Sequence, residues 1–164
     1  MALTNPKFGV GNFGYKDGWR VNEHPRFVED VTGDGKADIV GFAHDGVWVS
    51  QSNGGGAFQA AKFGVGSFGY KDGWRVDEHS RLVEDVTGDR KADIVGFAHD
   101  GVWVSESNGD GTFQAAKLGV GNFGYKDGWR FDEHTRFVED VTGDHMPDIV
   151  GFAHDEVGVS EWFV

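Results

Sequence analysis

The chain has 164 residues, 38% hydrophobic and 26% charged, a composition typical of a globular protein rather than a disordered one. Its formal net charge of −12 makes a phosphate backbone an unfavourable partner, so we expect no nucleic-acid binding. Cysteine is absent, which excludes disulfides, thiolate metal sites and cysteine nucleophiles. We find no apolar run that could cross a membrane and no secretory signal at the start, and expect either a cytoplasmic protein or one that leaves the cell by another route.

A segment of 55 residues occurs almost three times, as repeats 7–61, 62–116 and 117–164. The first two copies are identical at 47 of 55 positions. Because each repeat unit is too small to bury an apolar core alone, such self-similarity predicts one domain in which neighbouring units stack. We therefore interpret residues 1–164 as a single domain.

Each repeat predicts four short strands and no helix. In the first repeat we place them at residues 26–31, 38–43, 47–50 and 61–65, with turns at 44–46 and 52–56. Val47 and Val49 lie on one face of the third strand and Trp48 on the other. Four strands at this period are typical of a blade of an all-β propeller, and a solenoid of sheets is the alternative.

The phase of the repeats predicts how the chain assembles. It begins in a segment that we assign to a fourth strand, residues 7–13, and ends after the third strand of the last repeat, near residues 157–160. Three blades are fewer than the roughly four to eight of ordinary propellers, and an open array leaves two unpaired sheet edges. We therefore expect a homodimer with a six-bladed ring, in which the N-terminal strand of each chain completes the last blade of the other. Residues 161–164 are expected near this junction.

The pattern Asp-x-Thr-Gly-Asp-x-x-x-Asp precedes the second strand of every repeat. Ca²⁺ takes roughly six to eight oxygen ligands on a compact loop, and side chains at positions 1, 3, 5 and 9 with a carbonyl at position 7 can converge on one ion. The predicted ligands of this structural Ca²⁺ are Asp30, Thr32, Asp34 and Asp38, then Asp85, Thr87, Asp89 and Asp93, then Asp140, Thr142, Asp144 and Asp148. A metal-free turn rich in Asp, Thr and Gly is the alternative. The residue at position 6 makes the first loop the best candidate for Ca²⁺ binding, because Gly35 suits a turn with positive φ better than Arg90 or His145.

The stretch from Asp30 to Phe42 resembles the FG-GAP repeat of integrin α-chain propellers. With Trp19-Arg-Val and His24-Pro-Arg before it and Gly46-Val-Trp-Val-Ser and Asn53-Gly after it, the whole repeat is similar to the fungal lectins of the Psathyrella velutina type. The resemblance covers essentially residues 7–160. It implies a propeller that binds N-acetylglucosamine-type sugars and sialylated glycans between blades and holds Ca²⁺ in such loops. That family has seven blades in one chain, whereas this chain has three repeats.

The glycine-flexed loop before the first strand combines aromatic and polar side chains, as sugar recognition requires. We predict Tyr15 and Trp19 as aromatic walls, with polar partners following them. The predicted sugar-binding residues are Asn12, Tyr15, Asp17, Trp19, Glu23 and His24, then Tyr70, Asp72, Trp74, Glu78 and His79, then Asn122, Tyr125, Asp127, Trp129, Glu133 and His134. Packing is the alternative role for each of them, and packing between sheets is the role that we expect for Trp48.

Two other classes of function compete with a lectin. An enzyme is disfavoured, because each candidate constellation occurs in triplicate and the Gly9–Gly14 match to G-x-G-x-x-G lacks a following helix. A triad of Ser50, His44 and Asp45 is disfavoured because neighbouring residues of one strand point to opposite faces. A Ca²⁺-stabilised scaffold for a protein partner, or a designed or truncated propeller, remains the alternative to a glycan-binding lectin.

Overall fold

The computed structural model describes residues 3–162 and contains one antiparallel sheet per repeat. The first sheet has the order β1 (Arg26–Glu29), β2 (Asp38–Phe42), β3 (Val47–Ser50) and β4 (Lys62–Val65). The second has β5 (Arg81–Glu84), β6 (Asp93–Phe97), β7 (Val102–Ser105) and β8 (Lys117–Val120). The third has three strands, β9 (Arg136–Glu139), β10 (Asp148–Phe152) and β11 (Val157–Ser160). The predicted all-β repeat of four strands is therefore confirmed.

Alternation of side chains fixes the register of each sheet. Val40 lies opposite Val49 and Phe42 lies opposite Val47, so one apolar face runs across β2 and β3. The same register recurs between β6 and β7 and between β10 and β11. β1 is shorter than predicted, because the Asp30 side chain accepts backbone N–H bonds of the following turn instead of continuing the strand.

The prediction of a strand at residues 7–13 is wrong for the chain as described. β4 and β8 pair with the third strand of the preceding sheet, and no sheet precedes residues 7–10. A strand needs a hydrogen-bonded neighbour, so this segment stays extended without a ladder. It still accepts the Phe58 N–H at the Gly9 carbonyl, 3.1 Å, as Gly64 does for Phe113 at 3.3 Å.

Short 3₁₀ turns at Tyr15–Asp17, Tyr70–Asp72 and Tyr125–Asp127 are the helical segments that the sequence did not predict. Each is followed by a glycine with φ near +95° that reverses the chain toward the next strand. Residues 3–162 contain no α-helix, and none of their helical segments is long and apolar enough to cross a membrane.

The core lies between consecutive sheets rather than inside one. The first junction packs Val31, Val40, Phe42, Val47 and Val49 against Phe68, Val83, Ala92, Ile94 and Phe113. The second junction packs Val86, Val95, Phe97, Val102 and Val104 against Phe123, Val138 and Ile149. The second sheet thus buries one face against the first sheet and the other against the third.

The three sheets of the single chain do not close into a ring, so the six-bladed homodimer stays a prediction. The last repeat departs from the others after β11. Trp162 lies against Gly119, with ring atoms 3.2 Å from the place of a Cβ, as Phe113 lies against Gly64. Trp162 therefore fills the position of that phenylalanine. Phe163 and Val164, which the sequence places near the junction, lie outside the described residues.

Candidate functional site

A pocket recurs in every repeat, between the loop that precedes the first strand and the turn that joins the second and third strands. We call these the first, second and third pockets, with volumes of about 310, 530 and 540 Å³. The second pocket is lined by Ser67, Phe68, Asp72, Gly73, Trp74, His79, Ala98, His99, Asp100, Trp103 and Ala116. Cavities of this size suit a small ligand.

A glycine in the second strand brings the loop onto the sheet. A Cβ on Gly96 would lie 2.3 Å from the Trp74 ring, and Gly41 and Gly151 contact Trp19 and Trp129 in the same way. The indole therefore lies directly on the strand backbone, which no other residue type allows without a shift. The loop is bent at Phe68, whose φ of +62° is in the left-handed region, and at its two equivalents.

A histidine fixes the end of each loop. His24, His79 and His134 each accept the backbone N–H of the arginine four residues earlier at Nδ1, at 3.0, 3.2 and 2.9 Å. Each ring stands edge-on to the pocket tryptophan, with centroids 5.5–5.6 Å apart. Burial lowers the pKa of His24 and His79 below the usual value, so both rings stay neutral acceptors at neutral pH. Nε2 is then the proton-bearing atom, a donor available to a ligand.

The opposite wall is a carboxylate held by an indole. Trp103 Nε1 donates to Asp100 Oδ1 at 2.9 Å, and Trp48 Nε1 donates to Asp45 Oδ1 at 3.0 Å. Asp100 is exposed, and its Oδ2 has no hydrogen bond from the described residues, so it can accept from a ligand. An aromatic face, a carboxylate and a histidine N–H therefore meet at one cavity.

The third pocket lacks half of this wall. Gly158 stands where the other repeats have Trp48 and Trp103, and Glu156 replaces Gly46 and Gly101. The lining there includes Glu156, Gly158 and Val159 and no tryptophan from the third strand. The third pocket is therefore less aromatic than the other two.

The structure brings most of the predicted sugar-binding residues together. Asn12, Asp17, Trp19 and His24 line the first pocket, Asp72, Trp74 and His79 the second, and Asn122, Asp127, Trp129 and His134 the third. Of the predicted aromatic walls, Trp19 is 93% buried and serves as packing for Phe13 as well as lining, with ring centroids 4.8 Å apart.

The predicted tyrosines and glutamates do not line the pockets, and these are Tyr15, Tyr70, Tyr125, Glu23, Glu78 and Glu133. The tyrosine rings do not face the pockets because an arginine guanidinium covers each ring, 3.6–3.9 Å from its centroid. Tyr70 also stacks on His44 of the preceding repeat at 5.7 Å, and Tyr125 stacks on His99 at 5.5 Å. Tyr70 and Tyr125 therefore join repeats instead of facing a ligand.

The predicted set of sugar-binding residues does not include the turn side of the pockets. Trp48 was expected to pack between sheets, yet it is half-exposed and lines the first pocket with His44 and Asp45. Its position opposite Val47 and Val49 was the available signal, since it points away from the core face. The pockets are each lined by one repeat rather than by two blades, because the loop folds back over the turn of its own sheet.

The Asp-rich loops are closed by their own backbone. Both carboxylate oxygens of Asp30 accept N–H groups, with Gly33 on Oδ1 and Gly35 on Oδ2, each at 2.7 Å. Asp34 pairs with Lys36. Position 6 has positive φ in all three loops, +80° at Gly35, +67° at Arg90 and +71° at His145, as the turn pattern predicts.

These loops fit Ca²⁺ only in part. Asp38 Oδ2 and Asp148 Oδ1 are buried without a hydrogen-bond partner, as a metal ligand would be in the absence of its ion. Against this, residues 3–162 contain no group of three or more acidic or histidine side chains arranged around one point, and the oxygens of Asp30 are already paired with N–H donors. Calcium binding by the loop residues therefore stays a prediction.

The nominal triad is not assembled. Ser50 is fully buried and its hydroxyl donates to the carbonyl of Gln59, whereas His44 and Asp45 lie at the exposed turn at the other end of β3. The Gly9–Gly14 segment leads into a three-residue 3₁₀ turn and not into the helix that a dinucleotide site requires.

Among solved structures, the chain is similar to a lectin from Agrocybe aegerita that recognises non-reducing terminal N-acetylglucosamine. The two are 47% identical with a TM-score of 0.90, over 94% of this chain and 39% of that one. The chain thus spans less than half the length of this lectin. A lectin binds carbohydrate without changing it, which agrees with the expectation that the chain is not an enzyme.

Two distant likenesses concern the fold alone. The Tc holotoxin pore of Photorhabdus luminescens is 16% identical with a TM-score of 0.63, over 84% of this chain and 6% of that one. The TcdB2–TccC3 complex is 15% identical with a TM-score of 0.65, over 83% and 6%. No protein-family model and no curated protein sequence matches the chain.

Proposed function

We propose that the chain is a multivalent lectin that binds terminal N-acetylglucosamine in the pockets of its repeats. The observation that carries the proposal is the 47% identity, over 94% of the chain, to a lectin that recognises this sugar at the non-reducing end of glycans. Each of the three repeats contains a pocket, so a single chain offers more than one site.

The pocket chemistry suits a pyranose. Sugar C–H groups pack on an aromatic face, and hydroxyl groups need fixed donors and acceptors. In the second pocket Trp103 and Trp74 offer the aromatic surfaces, Asp100 an acceptor and His79 a donor. Because Trp103 orients Asp100 and Arg75 orients His79, both polar groups are held in place before a ligand arrives.

The three pockets are not equal in this proposal. The first and second contain Trp48 and Trp103, whereas the third has Gly158 in their place. We expect two strong sites and one weak site per chain. Several weak sites on one particle strengthen attachment to a glycan-coated surface through avidity, without new contacts.

A glycan array with matched wells containing Ca²⁺ or EDTA tests the proposal. Binding concentrated on glycans that end in N-acetylglucosamine is the expected result, and the sialylated glycans that the sequence resemblance implies are read from the same array. Loss of binding in EDTA would mean that the loops support the pockets. No glycan binding by folded protein would overturn the lectin proposal and favour a protein partner.

Variants identify the pockets as the site. Joint replacement of Asp45 and Asp100 by Ala removes an exposed acceptor from both aromatic pockets, so we expect at least about a tenfold loss of affinity for N-acetylglucosamine. Replacement of the exposed Asp77, which lies outside the pocket lining, is the matched control and should leave affinity unchanged. Equal affinity of the double variant and the control would place the sugar elsewhere.

A further inference from the structure

Consecutive repeats meet through an interface that the chain shows twice. Its apolar part joins the third-strand side of one sheet, such as Phe42, Val47 and Val49, to the first-strand side of the next, such as Val83 and Ile94. All five are at most 2% exposed. The second junction repeats this arrangement with the equivalent residues.

The interface also has a polar part. Tyr70 and Lys71 donate backbone N–H bonds to the carbonyls of Ala43 and His44, at 3.2 and 2.9 Å, and Tyr125 and Lys126 do the same to Ala98 and His99. The guanidinium of Arg81 lies over the Phe42 ring, 5.5 Å from its centroid, and that of Arg136 lies over Phe97 at 5.2 Å. These contacts specify one relative position of neighbouring repeats.

Each end of the chain carries one unpaired half of this interface. On the third repeat Phe152, Val157 and Val159 are 47%, 54% and 51% exposed, although their equivalents in the first two repeats are buried. On the first repeat Val28 is 58% exposed, whereas Val83 and Val138 are at most 5% exposed. Apolar side chains exposed only where a neighbour is missing mark an association surface.

The aromatic and backbone groups that join consecutive repeats also lack partners at the two ends of the chain. Tyr15 is 75% exposed, whereas Tyr70 and Tyr125 stack on histidines of the preceding repeat. Among the histidines of the turns between second and third strands, His154 has no stacking tyrosine. Its side chain is 91% exposed, on the third repeat. Residues 7–10 lack a strand partner, and β11 lacks a strand on its outer edge among the described residues.

We propose that two copies of this chain associate reciprocally, the first repeat of each docking on the third repeat of the other, to close a ring of six sheets. Residues 7–10 of one copy pair with β11 of the other, Tyr15 stacks on the partner copy's His154, and Arg26 covers the partner copy's Phe152. The occupant is a second copy because each end matches the other by continuity with the junctions already present. The association does not depend on what the pockets bind.

One residue of the third repeat, Glu156, distinguishes this junction from those inside the chain. A Cβ on Gly46 or Gly101 would lie 2.2–2.3 Å from the carbonyl of the neighbouring fourth strand, and Glu156 occupies the equivalent position with a negative φ. The turn at Glu156 therefore has a different backbone conformation from the turns at the internal junctions, so we expect this junction to be weaker than those inside the chain. A charged residue at an edge also limits pairing with unrelated strands.

The partner copy would also order the third pocket. In the first two pockets the histidine of the turn is held between the cavity and a tyrosine of the next repeat. His154 lines the third pocket and gains such a tyrosine only from the second copy. In a closed ring, the turn histidine of every repeat would therefore stack on a tyrosine of the following repeat.

Sedimentation velocity of the full chain over a range of micromolar concentrations tests the proposal. We expect a concentration-dependent species of twice the 17.9 kDa chain mass, and no larger one. Glu156→Gly is expected to lower the dissociation constant of the dimer by about tenfold, since it restores the glycine of the internal junctions. A monomer at all concentrations for both proteins, or an open series of larger species, would overturn the proposal.

Surface variants locate the contact. Val28→Glu and Val159→Glu place a charge on either half of the interface, at side chains already exposed in one chain, so each should abolish the dimer without lowering the melting temperature of the monomer. Leu118→Glu, at a side chain 49% exposed on β8, is the matched control and should remain dimeric.

A chain without residues 1–13 should give monomers or aggregates. A stable dimer of this truncated chain or of the two valine variants would overturn strand exchange.

Discussion

The second and third repeats have nearly the same sequence through their second strands but different surroundings. Phe97 of β6 is fully buried, whereas Phe152 at the same place in β10 is 47% exposed. Val86 and Val141 differ in the same way, at 3% and 55%. Burial of these side chains is therefore decided by the next repeat along the chain rather than by the local sequence.

Stability should follow the same division. In repeat proteins the free energy of unfolding is approximately a sum of terms for single repeats and for the interfaces between them. Within a single chain the second repeat contributes to two interfaces and the third to one, so in the monomer the third repeat should open before the second in native-state hydrogen exchange. Perturbations of equivalent residues should therefore cost more in the second repeat than in the third.

Gly96→Ala should give the largest effect and tests this difference directly. The added Cβ would lie 2.3 Å from the Trp74 ring and 2.9 Å from the Phe68 ring, so the loop must move away from the sheet. We expect urea unfolding to show a loss of about 2–3 kcal/mol. Gly151→Ala makes the same contact with Trp129 in a repeat open on one side, and should cost less.

Gly55→Ala is the control for this pair, because nothing lies within 4 Å of its Cβ position. It should leave the free energy of unfolding essentially unchanged. Equal losses for Gly96→Ala and Gly151→Ala would contradict this prediction. They would mean that the exposed face of the third repeat does not let its loop move away from the added methyl group more easily.

The sequence was sufficient for the elements whose partners lie in the same repeat. Alternation in residues 47–50 predicted β3, and its hairpin with β2 has the register that places Val40 opposite Val49. Positive φ at position 6 of the Asp-rich loops was also predictable, since glycine occupies it in the first copy. Local chemistry decides both features.

The sequence failed where a partner outside the repeat decides the outcome. Residues 7–10 match the sequence of β4, yet they form no strand because no third strand lies beside them. Tyr15 and its equivalents look like aromatic walls in sequence, but an arginine covers each ring, and the preceding repeat also contacts Tyr70 and Tyr125. Trp48 alternates with Val47 and Val49, which indicates that it points away from the core face, but the sequence does not show that this face lines a pocket.

Chelation of calcium is the next prediction and compares the three loops. If the loops hold Ca²⁺ in solution, EDTA should lower the melting temperature, because an ion that binds only the folded state stabilises it by about 2.7 kcal/mol at one hundred times its dissociation constant. Asp38→Asn removes a buried carboxylate of the first loop and should reduce the number of ions measured by isothermal titration calorimetry. An identical melt with Ca²⁺ and with EDTA would identify the loops as metal-free turns.

Replacement of Arg90 by glycine should give the smallest effect and removes one difference between the first two repeats. Arg90 has φ of +67°, a region in which a Cβ costs about 1–2 kcal/mol, whereas Gly35 has φ of +80° without that cost. Glycine loses more backbone entropy on folding, so we expect a net gain of about 0.5–1 kcal/mol in the free energy of unfolding. Arg90→Ala keeps the Cβ while removing the exposed guanidinium, and should give no gain. A gain of the same size from alanine would assign the effect to loss of the arginine side chain rather than to backbone strain.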